Sequence, residues 1–104
     1  MKNIINIYDQ LHWDEASGYP KGTRVKVLRD ENGAKTILLK LPQEFNLESH
    51  SHVTAEQHFI LEGEYESDGQ IYGAGSYQLI PSHANHGPFK SKNGALVLVI
   101  YDPK

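Results

Sequence analysis

The chain has 104 residues, with 10 basic against 13 acidic side chains for a net charge of -3, and is 38% hydrophobic and 10% aromatic. No basic cluster is available to neutralise phosphates, which sets nucleic acid aside as a partner; the absence of cysteine excludes disulfides, thiolate chemistry and a cysteine-type zinc site. With no signal-peptide h-region, and a longest apolar run (Ala95 to Tyr101) far short of the roughly 20 residues that span a bilayer, the expectation is a soluble, cytoplasmic protein with no membrane partner, folded as one domain over 1–104.

In chain order, residues 3–8 alternate weakly and predict a short strand. Leu11 to Lys21, with Trp13, Gly18 and Pro20, reads as an irregular connection in which Trp13 is a packing anchor. Thr23 to Leu28 alternates, with Val25 and Val27 on one face, and Thr36 to Leu41 returns with Ile37, Leu39 and Leu41 on one face. Asn32-Gly33 between them is a hairpin signal, because both residues tolerate positive φ in a type I′ turn. Pro42 ends the pair.

Glu56 to Leu61 is extended, and Gly63 turns the chain. A second hairpin is predicted around Asp68-Gly69, joining Glu64–Glu66 to Gln70–Tyr72. Gly73 and Gly75 mark a turn, and Tyr77 to Ile80 is a strand stopped by Pro81. A third hairpin is predicted at Asn93-Gly94, between the segment around His86–Phe89 and the run Ala95 to Tyr101. That last run is apolar at both parities, so the N-terminal strand or a second subunit is expected to cover its outer face. No window shows a 3.6-residue apolar repeat. Short strands at spacings of about ten residues predict an antiparallel sandwich or barrel.

Five of the six histidines lie between His50 and His86. His50 and His52, two apart, share one side of an extended segment; Glu56 follows, and His86 returns about thirty residues on. Imidazoles with one carboxylate suit Zn, Fe, Mn, Ni or Cu and not Mg or Ca. The reading is a mononuclear divalent transition-metal site held by His50, His52, Glu56 and His86. His58 shares the parity of Glu56 and is expected to point into the barrel, either as a packed core histidine or as a general acid/base. His83 is read as a turn residue or as a partner that orients a ligand, and His12 as surface. Tyr65, Tyr72 and Tyr77 are read as core and strand residues.

These residues resemble the cupin superfamily, a double-stranded β-helix or small jelly-roll barrel. The first cupin motif, Gly-x5-His-x-His-x3–4-Glu-x6-Gly, is matched by His50, His52, Glu56 and Gly63; the second, Gly-x5-Pro-x-Gly-x2-His-x3-Asn, by Gly75, Pro81 and His86. The two motifs span 50–63 and 75–86. Glu44 and His83 stand where the motifs have glycine, and Lys90 where the second ends in asparagine. The string Glu56-Gln57-His58-Phe59-Ile60-Leu61-Glu62-Gly63 is similar to the cupin domain of ChrR-type anti-sigma factors.

The resemblance implies a metal-dependent protein that binds a small molecule, as an enzyme of dioxygenase or isomerase type in which Glu56 or His58 moves a proton. The alternative is a non-catalytic, metal-dependent sensor or ligand-binding module of the ChrR kind. The apolar last strand and Ile4, Ile5 and Ile7 are consistent with a homodimer.

Overall fold

Turn chemistry and strand parity set the frame. The structure, a computed structural model, describes residues 6–51 and 53–103, with the backbone alone at His50, Ser51 and His86. Strands β2 (Arg24–Glu31) and β3 (Ala34–Leu41) form the first expected hairpin. Asn32 and Gly33 at its tip have φ of 51° and 82°, the left-handed pair a type I′ turn requires. The second expected hairpin joins β6 (Glu56–Ser67) to β7 (Gln70–Gly73) through Asp68 and Gly69, at φ of 51° and 78°.

The remaining strands are β1 (Asp14–Glu15), β4 (Phe45–Leu47), β5 (His50–Ser51), β8 (Tyr77–Ile80), β9 (Asn85–His86), β10 (Phe89–Ser91) and β11 (Ala95–Tyr101). The main sheet runs β1-β2-β3-β11-β6, all antiparallel, with β8 on the other edge of the first half of β6. The second half of β6 pairs with β7 and β10, and β10 continues to β4. β5 and β9 form a separate ribbon.

One long strand therefore serves two sheets, and the sheet curls at Gly63. Gly63 has φ +74°, and a Cβ there would collide with the Gly94 carbonyl oxygen and stand 2.8 Å from the Ala95 Cα. Only glycine allows that approach. The ladder between β11 and β6 slips by one residue at the same place, between Leu96 and Val97, as a β-bulge does where a strand bends.

The hairpin expected at Asn93-Gly94 does not form. β10 pairs with β4 on one edge and β6 on the other, while β11 lies between β3 and β6. A strand has two edges, and both of β10's are taken, so Gly94 (φ +93°) passes the chain from one sheet to the other. Residues 6–8 are a turn rather than a strand, with Asn6 Oδ1 accepting from the Tyr8 amide at 2.8 Å; residues 3–5 of that expectation lie outside the described residues. β1 is a short strand inside the segment Leu11–Lys21 expected to be irregular, and β4 forms in the stretch that leads to the histidine pair.

The core is the concave face: Ile37, Leu39 and Leu41 of β3, Val97 and Val99 of β11, Ile60 and Tyr65 of β6, closed by Phe45, Ile80 and Phe89. Val25 packs against it, whereas Val27 is exposed. The opposite parity is covered in part: Leu98 and Ile100 of the doubly apolar last strand are half-buried. Leu38 is fully buried, Leu96 is 7% exposed and Lys26 only 1%.

An N-terminal turn supplies part of that cover. Lys26 Nζ donates to Asp9 Oδ1 at 2.7 Å and to the Asp9 carbonyl at 3.0 Å, and lies 5.0 Å from the centre of the Trp13 ring. The Trp13 indole donates to the same Asp9 carbonyl at 3.0 Å, which makes Trp13 the anchor expected of it. A buried ammonium is costly unless paired; here carboxylate, carbonyls and an aromatic face satisfy it.

Candidate functional site

Parity along β6 decides which side chains enter the barrel. Glu56, His58 and Ile60 alternate inward, as expected, and are 3%, 8% and 2% exposed. Glu56 lies opposite Tyr101 of β11 on one side and Ile80 of β8 on the other. Its Oε1 is 3.0 Å from His58 Nε2. A carboxylate can only accept, so Nε2 bears the hydrogen in that contact. The Tyr65 hydroxyl donates its one hydrogen to Gln78 Oε1 at 2.7 Å, so its oxygen accepts from His58 Nδ1–H at 2.8 Å, and in this arrangement both ring nitrogens carry hydrogen. Both imidazole nitrogens are committed, and His58 packs beside Phe89 with ring centres 5.7 Å apart.

The ribbon β5–β9 sets His50 opposite His86 and Ser51 opposite Asn85. Directly paired residues in an antiparallel ladder stand about 4.5–5.5 Å apart at Cα, so two residues distant in sequence become backbone neighbours. The expected ligand His52, and the side chains of His50 and His86, lie outside the described residues. Among the described residues no group of three or more His, Asp or Glu side chains is placed to hold a metal ion.

Glu56, His58 and Tyr65 line a half-open cavity of about 30 Å³ whose other walls include Leu39, Phe45, Phe89 and Val99. Tyr19 also reaches it, from the segment expected to be irregular. Its loop is pinned by Ala16 N to Thr23 O at 2.9 Å and Thr23 Oγ1 to Pro20 O at 2.7 Å. Tyr19 and Leu47 stand between this cavity and an open surface groove of about 630 Å³.

Tyr19 and Tyr101 are hydrogen-bonded to each other through their side chains. Burial pushes both phenols above the usual 10.0, and the charge of Glu56 raises them further. Tyr65 is pushed far up by burial first, then by Tyr72 and Glu56. Three phenols around one carboxylate thus stay neutral and keep their hydroxyl hydrogens.

Tyr65 is the core residue expected, but it also carries the polar contact to His58. Tyr19 and Tyr101 were not foreseen at the site. For Tyr101 there was a signal, since it shares the inward parity of Val97 and Val99; its place opposite Glu56 depends on a register that no local pattern contains. His83 is exposed, with φ 64°, in the turn closed by Ala84 N to Pro81 O at 3.3 Å. That is the turn-residue reading. Glu44, the other residue at a motif glycine, has φ 59°, so both take the left-handed conformation that glycine adopts without strain. His12 is exposed, as expected.

The family model described as the ChrR Cupin-like domain matches residues 1–104. No curated protein matches the chain. Among solved structures, the Rhodobacter sphaeroides complex of SigE with the anti-sigma ChrR contains a chain similar to this one at a TM-score of 0.77 and 22% identity, over 91% of this chain and 51% of that one. The chain thus spans about half the length of that relative. An RmlC-like cupin from Shewanella frigidimarina matches with a TM-score of 0.80 and 19% identity over 99% of this chain and 93% of its own. An acetylacetone dioxygenase from Acinetobacter johnsonii matches with a TM-score of 0.81 and 18% identity over 97% and 74%. At these identities the shared property is the fold, an all-β curled antiparallel sheet.

Proposed function

We propose that this chain, which belongs to the ChrR cupin-like domain family and has the cupin fold, is a metal-dependent protein that binds a small molecule at His50, His52, Glu56 and His86. The observation that carries the reading is Glu56: a carboxylate only 3% exposed, on the wall of a mostly apolar cavity. Holding an acid ionised at such a place is costly unless it is paired; His58 Nε2–H meets it at 3.0 Å, and a cation held with the three histidines would add full positive charge. The donor set fits one divalent ion of Fe, Mn, Ni, Zn or Cu, and the backbone pairing of His50 with His86 is what such a set requires.

When bound, a transition ion supplies Lewis acidity to a ligand's oxygen or, for a redox-active metal, a route for electrons. The chain's own residues do the rest. Glu56 and His58, 3.0 Å apart, are the pair that holds or moves a proton. Tyr19 and Tyr101, bonded to each other, have one hydroxyl hydrogen between them to offer to an oxygen-rich ligand, and the apolar walls exclude water. A cavity of about 30 Å³ accommodates only a few atoms, so the ligand is small or keeps its bulk in the outer groove beside Tyr19.

The reading is an enzyme of dioxygenase or isomerase type, and likeness to an acetylacetone dioxygenase supports small diketones and enols as first substrates to try. The second reading, a metal-dependent sensor, is favoured by the family match itself and by the likeness to a chain from an anti-sigma complex. We take the protein to act in the cytoplasm as a homodimer, in which the half-buried Leu98 and Ile100 and the exposed Tyr77 and Leu79 would be covered.

Metal analysis of the purified chain tests the core of this proposal. One divalent transition ion per chain is expected, lost in His86→Ala and kept in His83→Ala; the opposite pattern overturns the ligand assignment. Metal-dependent O2 uptake or isomerisation across small diketones, enols and sugar derivatives marks the enzyme. Ligand or oxidant binding without turnover marks the sensor.

A further inference from the structure

We propose that Tyr65 is a positioning residue for the metal site, acting through His58 to fix how the Glu56 carboxylate faces a cation. The inference rests on the reading above that Glu56 is a ligand. A glutamate's last torsion is broad, so a carboxylate must be held by something else if it is to meet an ion in one orientation. Here three hydrogen bonds run in a row: the Tyr65 hydroxyl donates to Gln78 Oε1 at 2.7 Å, its oxygen accepts from His58 Nδ1–H at 2.8 Å, and His58 Nε2–H donates to Glu56 Oε1 at 3.0 Å.

The row is anchored at both ends on paired strands. Gln78 is the direct ladder partner of His58 across β6–β8, and Glu56 opens β6 between β8 and β11. Tyr65 reaches His58 because β6 bends at Gly63 and brings its second half over its first. The Tyr65 ring is 2% exposed and is held edge-on by Tyr72 and Phe89, with centres 5.5 and 5.1 Å away. Phenylalanine would fill the same volume. The hydroxyl is what the row adds, and side chains that orient a ligand in this way typically change metal affinity by about 10–100-fold when removed.

The test is a double-mutant cycle on the metal-stripped full chain, titrated with Ni(II) and Co(II), with affinity read by calorimetry and the Co(II) absorption band read alongside. Tyr65→Phe is expected to weaken metal binding about 10–100-fold and to shift the Co(II) band. Against a Glu56→Ala background the same substitution is expected to change affinity by no more than about twofold, because the residue it acts on is gone.

Tyr65→Phe binding as tightly as the wild type overturns the inference and leaves the site reading standing. An equal loss in both backgrounds also overturns it, since a general loosening of the core would act without Glu56. Gln78→Met cuts the row at its outer end without disturbing the core, and a several-fold loss in the same direction is expected. If Tyr65→Phe fails to fold, no loss in Gln78→Met overturns the inference. A wild-type chain that takes up no metal overturns the proposed site and this inference with it.

Discussion

Replacing Glu56 by glutamine separates the cost of the buried charge from its use. The amide has the shape of the carboxylate and keeps an acceptor for His58 Nε2, now 3.0 Å from Oε1, but carries no charge into a cavity where the side chain is 3% exposed. Counting the His58 contact by itself, an ionised group at such a depth costs several kcal/mol even after relaxation, about 5, and a charge-assisted hydrogen bond returns about 2. The amide costs about 2 kcal/mol to bury and its neutral hydrogen bond returns about 1. The difference is about 2 kcal/mol in favour of Glu56→Gln in the metal-free chain, a rise in melting temperature of about 8 °C for a domain of this size.

Metal reverses the comparison. At a hundredfold excess over its dissociation constant a bound ion stabilises the folded wild type by about 2.7 kcal/mol, and the variant, lacking the anionic ligand, gains less. Thermal melts by circular dichroism, in chelator and in excess metal, should therefore show the variant ahead in the first and level with or behind the wild type in the second. A metal-free Glu56→Gln chain that melts below the wild type would refute the reasoning, because the native surroundings would then favour the carboxylate with no cation present.

Three further outcomes follow from the same structure. The Lys26 hydrogen bond, then the Leu11 amide, hold the Asp9 carboxyl below its usual 3.8. Its contribution is therefore present above about pH 4 and lost as pH falls through the depressed value; Asp9→Asn should flatten that acid limb in pH-dependent melts, and an unchanged limb would show the contact to be idle. The phenols of Tyr19, Tyr65 and Tyr101 are raised in the fold above 10.0, so stability should fall as pH rises past about 10, where the unfolded chain releases protons that the folded one retains, and Tyr19→Phe should soften the fall. Glu44→Gly and His83→Gly should each stabilise by about 0.5–1 kcal/mol, the left-handed cost of about 1–2 kcal/mol less the extra entropy of glycine, measured by urea denaturation; destabilisation would mean that the side chains, not the φ angles, hold those turns.

How much was legible from the sequence depended on how far each contact reaches along the chain. Asn32-Gly33 and Asp68-Gly69 were readable as hairpins because positive φ is a property of the residues themselves. The inward parity of Glu56 and His58 was readable because side chains alternate along any strand. Asn93-Gly94 carries the same local signal and makes no hairpin, since the edges of β10 were claimed by β4 and β6. Lys26, at the parity opposite Val25, carries no local sign of burial, and it is buried because residues 6–13 fold back over it.

The sequence by itself determined an all-β chain, its turns, the spacing of the histidines and the glutamate, and the family to which those spacings belong. Tertiary structure alone decided that Tyr19 and Tyr101 meet beside Glu56, that Tyr65 bonds to His58, and that His50 pairs with His86. The physical reason is range. Turn dihedrals and strand parity are set within a few residues, whereas register between distant strands is chosen by packing both faces of the sheet at once.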